Sequence, residues 1–247
     1  MYQLSNPQRL IYEMEKYVGG AVAVVCGSVL LEEQRDPTDL IRAVNEIFCL
    51  NEALRTRIVE QNGQALQEIK DFQEQVVNVL RFDSKDAFTA YAEEHAKTPI
   101  MLNGPLCEIQ VVLLPEHCGL LAKCHHIIGD AWTLTLIASQ LCALLAGEEP
   151  PAYPYSDFVE SEAAYAQSGR REKDKAFFLE RFKVCPEVVY LSEKPGDCYD
   201  TRRSTFQVNA DLTAHIRSYV KEHNTSPFVL FLTATAVYFS RVKDNPE

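Results

Sequence analysis

What this chain lacks narrows it first. Among its 24 Lys and Arg residues no run stands out, and against 35 Asp and Glu they leave a net charge of −11. Nucleic acids and anionic membrane surfaces are bound by clustered basic faces, so neither is expected as a main partner. No C-x-x-C pair occurs among the eight cysteines (Cys26, Cys49, Cys107, Cys118, Cys124, Cys142, Cys185 and Cys198), and no H-E-x-x-H occurs anywhere. Zinc sites need clustered ligands and disulfide scaffolds are short and loop-rich, so the expectation is no metal and reduced, mostly buried thiols. A P-loop, a G-x-G-x-x-G turn and a G-x-S-x-G elbow are all missing. With them go the usual phosphate cradle, dinucleotide site and hydrolase nucleophile, and no bound cofactor is expected. Met1-Tyr2-Gln3-Leu4 has no basic segment leading into an apolar one. The longest apolar stretches, near residues 21–31 and 228–239, are too short or too interrupted by polar residues to span a bilayer. The expectation is a soluble, cytoplasmic chain.

What is present suits an α/β protein. With 247 residues, 47% of them hydrophobic, the chain has enough apolar surface for one large domain or two lobes. Residues 8–17 read as a short helix stopped at Gly19-Gly20, and 21–31 as a Val-rich strand buried on both faces. Asp36-Pro37 opens a helix carrying Leu40, Ile41, Val44, Ile47 and Phe48 at helical spacing. Asn62-Gly63 joins strands near 57–60 and 65–69 into a hairpin. A strand near 76–80 and a helix capped by Ser84 follow; strands near 106–114 and 119–125 then pair across Pro115-Glu116-His117-Cys118. Residues 131–146 form the clearest helix, stopped by Gly147 and Pro150-Pro151. Beyond it the texture changes. A long charge-laced helical stretch covers 156–182, and 186–203 connects to a short strand near 205–208 and helices near 211–222 and 227–242. A boundary is placed within 183–203, giving units 1–182 and 183–247.

The segment with chemistry runs Lys123-Cys124-His125-His126-Ile127-Ile128-Gly129-Asp130-Ala131-Trp132-Thr133 and holds the only tryptophan. It lies where a strand ends and a helix begins, a common seat for active groups on α/β folds. Consecutive strand residues face opposite ways, so one histidine can be anchored in the core while the other faces a cleft. Asp130 is placed to cap the helix. On spacing alone, adjacent histidines are more often satisfied core or surface residues than catalysts, and they are not the i, i+4 pair of a zinc site.

Resemblance adds weight. His125-His126-Ile127-Ile128-Gly129-Asp130-Ala131 resembles the H-H-x-x-x-D-G signature of condensation domains of nonribosomal peptide synthetases, which belong to the chloramphenicol acetyltransferase-like superfamily. Residues 5–12, Ser-Asn-Pro-Gln-Arg-Leu-Ile-Tyr, resemble that family's S-x-A-Q-x-R-L-W/Y. Residues 51–58, Asn-Glu-Ala-Leu-Arg-Thr-Arg-Ile, resemble R-H-E-x-L-R-T-x-F. Gly104-Pro105-Leu106 matches its G-P-L, and Tyr155-Ser156-Asp157-Phe158 is similar to Y-x-D-Y. Each match is weak alone; five in order are strong.

The resemblance implies a chloramphenicol acetyltransferase-like lobe, a mixed sheet flanked by helices, followed by the start of a second such lobe. It implies an enzyme that forms amide bonds between acyl groups carried as thioesters on the phosphopantetheine arms of donor and acceptor carrier proteins, beside other synthetase domains. His126 is then the catalytic residue, as proton acceptor, amine orienter or stabiliser of the tetrahedral intermediate. His125 is structural, and Asp130 pairs with an arginine, Arg55 or Arg57 being the candidates. Two departures stand out: Ala131 replaces the family glycine, and Asn51 replaces R-H. If position 131 needs a positive φ, alanine costs about 1 kcal/mol; if it needs space, the methyl narrows the acceptor channel. A non-catalytic carrier-docking platform and an acyltransferase using soluble acyl-coenzyme A are the alternatives. An apolar face near 227–242, with Phe228, Leu230, Phe231 and Val237, is expected to promote self-association.

Overall fold

The computed structural model describes residues 1–18, 20–185 and 204–242. The chain divides into two compact units, Met1–Leu179 and Glu180–Glu247.

The first unit contains two sheets. The smaller is antiparallel, in the order β1 (Tyr2–Gln3), β4 (Gln64–Ile69), β3 (Thr56–Gln61). Its hairpin turns at Asn62 (φ 54) and Gly63 (φ 75), the left-handed pair that a two-residue turn requires. The larger sheet is mixed, in the order β2 (Val24–Leu31), β7 (Cys118–His125), β6 (Cys107–Leu113), β5 (Val79–Arg81), with only β5 and β6 parallel. Strand β7 lies in the middle and is buried along its whole length. It ends at His125, so the central strand delivers the histidines to the rim of the sheet.

Helices cover both faces of this sheet. On one side, α2 (Pro37–Leu50) and α4 (Ala131–Leu145) pack Leu40, Val44, Ile47, Ile137 and Leu141 against Cys118, Leu120, Ala122 and Cys124. Asp36 caps α2 by accepting from Thr38 N–H at 2.8 Å, with Pro37 in the first turn. On the other side α3 (Lys85–Ala96), capped by Ser84, buries Phe88 against Val112, Leu114 and Leu121. Helix α1 (Asn6–Val18) carries Gln8 and Tyr12 on its buried side.

Several expectations are corrected. Strand β2 is an edge strand, paired on one side alone by β7, and it is only half-buried. The stretch 156–182 is two helices, α5 (Tyr155–Ala166) and α6 (Gly169–Arg181), parted at Gln167-Ser168. No strand forms over 204–209. Of the seven described cysteines only Cys107, Cys118 and Cys124 are buried, while Cys49, Cys142 and Cys185 are exposed. Cys198 and the connecting stretch 186–203 lie outside the described residues.

In the second unit, α7 (Ala210–Glu222) and α8 (Pro227–Val242) bury none of their residues. Phe228, Phe231, Leu232 and Tyr238 are all more than half exposed. Among the described residues no helix is long and apolar enough to cross a membrane.

Candidate active site

The turn from β7 into α4 is built from its own backbone upward. His125 N–H donates to Leu106 O at 2.8 Å, and His126 N–H to Ala23 O at 2.6 Å, so both neighbouring chain segments grip it. Ile128 N–H closes a tight turn on His125 O at 3.0 Å. Ile127 and Ile128 then plug the core at 3% and 6% exposure. Asp130 caps α4: its Oδ1 accepts from Trp132 N–H at 2.9 Å and Thr133 N–H at 3.1 Å. Thr133 Oγ1 accepts in return from Asp130 N–H at 3.1 Å, which completes a capping box. A Cβ on Gly129 would stand 2.7 Å from Thr133 Oγ1, so glycine is what lets the box close.

The strand pleat turns the two histidines apart, and their surroundings fix opposite tautomers. His125 is 1% exposed. Its Nδ1 accepts from Ile127 N–H at 3.0 Å, so the ring proton sits on Nε2 and is donated to Glu15 Oε2 at 2.9 Å. Burial lowers the pKa of His125, with the Glu15 carboxylate acting in the opposite direction. This ring is neutral and held at both ends. His126 is exposed, and its Nδ1 lies 2.9 Å from Gly129 O. A carbonyl only accepts, so Nδ1 carries a proton, and in the neutral ring Nε2 keeps the bare lone pair. The site offers one oriented imidazole with Nε2 facing outward from that bond.

The other motif matches place architecture. Ser5 and Gln8 cap α1 reciprocally: Ser5 N–H donates to Gln8 Oε1 at 2.8 Å and Gln8 N–H to Ser5 Oγ at 3.3 Å. Gln8 also donates to buried Gln67 of β4. Tyr155 stands at the start of α5; burial pushes its pKa up to about 12, with Ser5 and Gln8 acting in the opposite direction. Glu52 accepts from the backbone and hydroxyl of Ser156 at 2.8 and 2.7 Å. Burial works against that carboxylate, but the two bonds hold its pKa below the usual range. Asn51 donates to Ile47 O and to Gln140 Oε1 of α4, both at 2.7 Å, so this departure from the family pattern clamps α2 to α4. Leu106 of the G-P-L segment is fully buried and supplies the carbonyl that receives His125 N–H.

Two expectations fail here. Neither Arg55 nor Arg57 pairs with Asp130. The Arg55 guanidinium donates to Phe48, Cys49 and Lys70 carbonyls, and Arg57 to Thr56 O. Both line a separate cavity of ≈ 380 Å³ with Phe48, Leu54, Lys70 and Cys107, while the Asp130 carboxylate is committed to its helix. Nor does Ala131 need a positive φ. It is the first residue of α4, and among the described non-glycine residues only Asn62 and Asn224 have positive φ. The backbone penalty is absent, and any effect of the methyl is one of space. Trp132 is 77% exposed beside it.

Sequence reasoning missed Glu15, Gly129 and Thr133. Thr133 had a local signal, standing three residues after its cap. Glu15 had a weaker one, sharing a helical face with Gln8 and Tyr12, but nothing local tied that face to a histidine 110 residues away.

A family model described as Condensation domain matches residues 1–247. The chain belongs to the condensation domain family. Surfactin synthase subunit 1 of Bacillus subtilis (strain 168) is 26% identical over 262 residues, covering 98% of this chain and 7% of that protein. The first condensation domain of the CDA synthetase superposes with a TM-score of 0.80 at 16% identity, over 98% of this chain and 62% of that one. A variant of the starter condensation domain of rhizomide synthetase RzmA, solved in complex with C8-CoA, gives 0.71 at 21% identity, over 79% and 48%. The chain thus spans less than two thirds of each of these relatives. The α/β fold is that of condensation domains, with mixed strands flanked by helices.

Proposed function

We propose that this chain is the amino-terminal part of a condensation domain that joins carrier-bound acyl thioesters in nonribosomal peptide synthesis. Residues 1–182 are the amino-terminal lobe, and 183–247 are the linker and beginning of the second. The observation that carries the reading is the bare Nε2 of His126, fixed by the Nδ1–H bond to Gly129 O at the end of the central strand. The acceptor amine attacks the donor thioester carbonyl, and Nε2 takes the proton the nitrogen sheds. The C–N bond forms, the C–S bond breaks, and the proton passes to the leaving thiolate, giving amide and thiol. Alignment supplies much of the acceleration, because well-oriented reactants save on the order of 7–11 kcal/mol of barrier. His126 adds roughly 10²–10⁴-fold as general base. The substrates arrive on phosphopantetheine arms, so donor and acceptor carrier proteins and adjacent synthetase domains are the partners, in the cytoplasm, with no resident cofactor.

The test is to supply the full-length gene product with loaded donor and acceptor carriers and follow the acceptor's intact mass. A mass gain lost in His126→Ala supports the reading. A folded protein that gives no gain with any donor–acceptor pair sinks it and favours a docking platform. The RzmA starter domain's complex with C8-CoA motivates a second reading, a soluble acyl-coenzyme A donor. Product formation from acyl-coenzyme A without a donor carrier would select it. Exposed Phe228, Phe231 and Leu232 further support self-association of the 247-residue chain, which light scattering checks: a monodisperse monomer at high concentration counts against it.

A further inference from the structure

We propose that Glu15 is a positioning residue for His126, acting through His125; this inference rests on the condensation reading above. Glu15 reaches from α1 to the end of β7 and accepts the Nε2–H of His125 at 2.9 Å. Its own side chain is 19% exposed, so the pair is largely sheltered from water. A carboxylate only accepts, and it therefore holds the proton on Nε2. That leaves Nδ1 bare to receive Ile127 N–H at 3.0 Å. With the proton on Nδ1 instead, two N–H groups would point at each other, and the turn that carries Ile127 and Ile128 would have to open.

The same turn carries the carbonyl that orients His126. Only three residues separate His125 from Gly129, and His125 O also receives Ile128 N–H at 3.0 Å. If the turn relaxes, Gly129 O leaves Nδ1 of His126, and nothing then fixes which nitrogen of that ring is bare. The order of dependence runs from the Glu15 carboxylate to the His125 tautomer, then to the turn, then to the His126 tautomer. Glu15 touches neither His126 nor any reacting atom.

The experiment compares Glu15→Gln and Glu15→Asp with wild type by two readouts. Long-range proton–nitrogen NMR of the histidine-labelled 247-residue chain is expected to show Nε2–H on His125 and Nδ1–H on His126. In Glu15→Gln the amide can accept or donate, so His125 is expected to populate both tautomers and the His126 signals to shift with it. In the full-length gene product, kcat is expected to fall roughly 10- to 100-fold, as for a reacting group displaced by about 1 Å. KM is expected to stay within about twofold, because ground-state binding is untouched. Glu15→Asp keeps the carboxylate on a shorter arm, and partial recovery of both readouts is expected. It also serves if the glutamine variant does not fold.

Unchanged ring signals at His125 and His126, in either folded variant, overturn the role of Glu15 whatever the activity. Shifted tautomers with wild-type kcat overturn it as well. A folded wild type that gives no mass gain with any loaded carrier pair sinks the condensation reading instead, and the tautomer measurement tells these failures apart.

Discussion

Helices α4 and α8 are near-twins in composition and opposites in circumstance. Both are apolar, of 15 and 16 residues, yet α4 buries Ile137, Gln140 and Leu141 while α8 buries nothing. The difference lies in what surrounds each. Helix α4 is capped by Asp130, pinned through Gln140 to Asn51, and laid over Gly27 of β2, where a Cβ would meet Leu134 at 2.8 Å. Composition shows that a helix carries apolar surface; only tertiary contacts decide whether that surface contributes stability.

Leu141→Ala is expected to produce the largest stability loss, about 2–5 kcal/mol, since the residue is fully buried between helix and sheet. Denaturant unfolding of the chain measures it, and a loss near zero would erase the contrast between the helices. Gln140→Ala comes next, at about 1–3 kcal/mol, because it leaves one N–H of the buried Asn51 amide unpaired while the bond to Ile47 O remains. Asp130→Ala should cost about 1 kcal/mol through loss of the cap. Asp130→Asn should cost less, since an amide oxygen can still cap; an arginine partner would instead make the charge itself matter.

The pH dependence of thermal unfolding sharpens the same comparison at the start of α4. The folded pKa of His125 lies below its unfolded value, chiefly through burial, so the unfolded chain binds the extra proton first. The stability this neutral ring contributes is present above about pH 6.5 and drains away as the pH falls below it. His95, lowered in the same direction by burial, adds to the slope. His125→Asn is expected to flatten the slope, and an unaltered slope would show that His125 is not held neutral. Phe231→Ser should have the smallest effect on stability, within about 0.5 kcal/mol, while reducing self-association by light scattering.

These contrasts explain what was legible in the sequence. The hairpin at Asn62-Gly63, the caps at Asp36, Ser84 and Asp130, and the helix 131–145 were readable because their signals are local. The edge position of β2 was not, since the number of strands that pair with one strand is set by elements distant in sequence and not by how apolar it is. The histidine turn was found through its motif, and its orientation through the period of the strand. Glu15 lay out of reach because its contact joins elements distant in sequence, and the partners of Arg55 because they are backbone carbonyls, which carry no side-chain signal. The arginine pairing was inferred from resemblance, whereas this turn satisfies its aspartate within its own helix.

The three letters between the second histidine and the aspartate look like a free spacer in a motif. In this chain they are closed positions: two aliphatic plugs and a residue with no room for a Cβ. The turn therefore behaves as a gauge block of fixed length. Directed evolution that aims to change which amines or acyl groups are accepted will find little tolerance there. Residues 131 and 132, exposed on the first turn of the following helix, are where variation can be absorbed without losing the base.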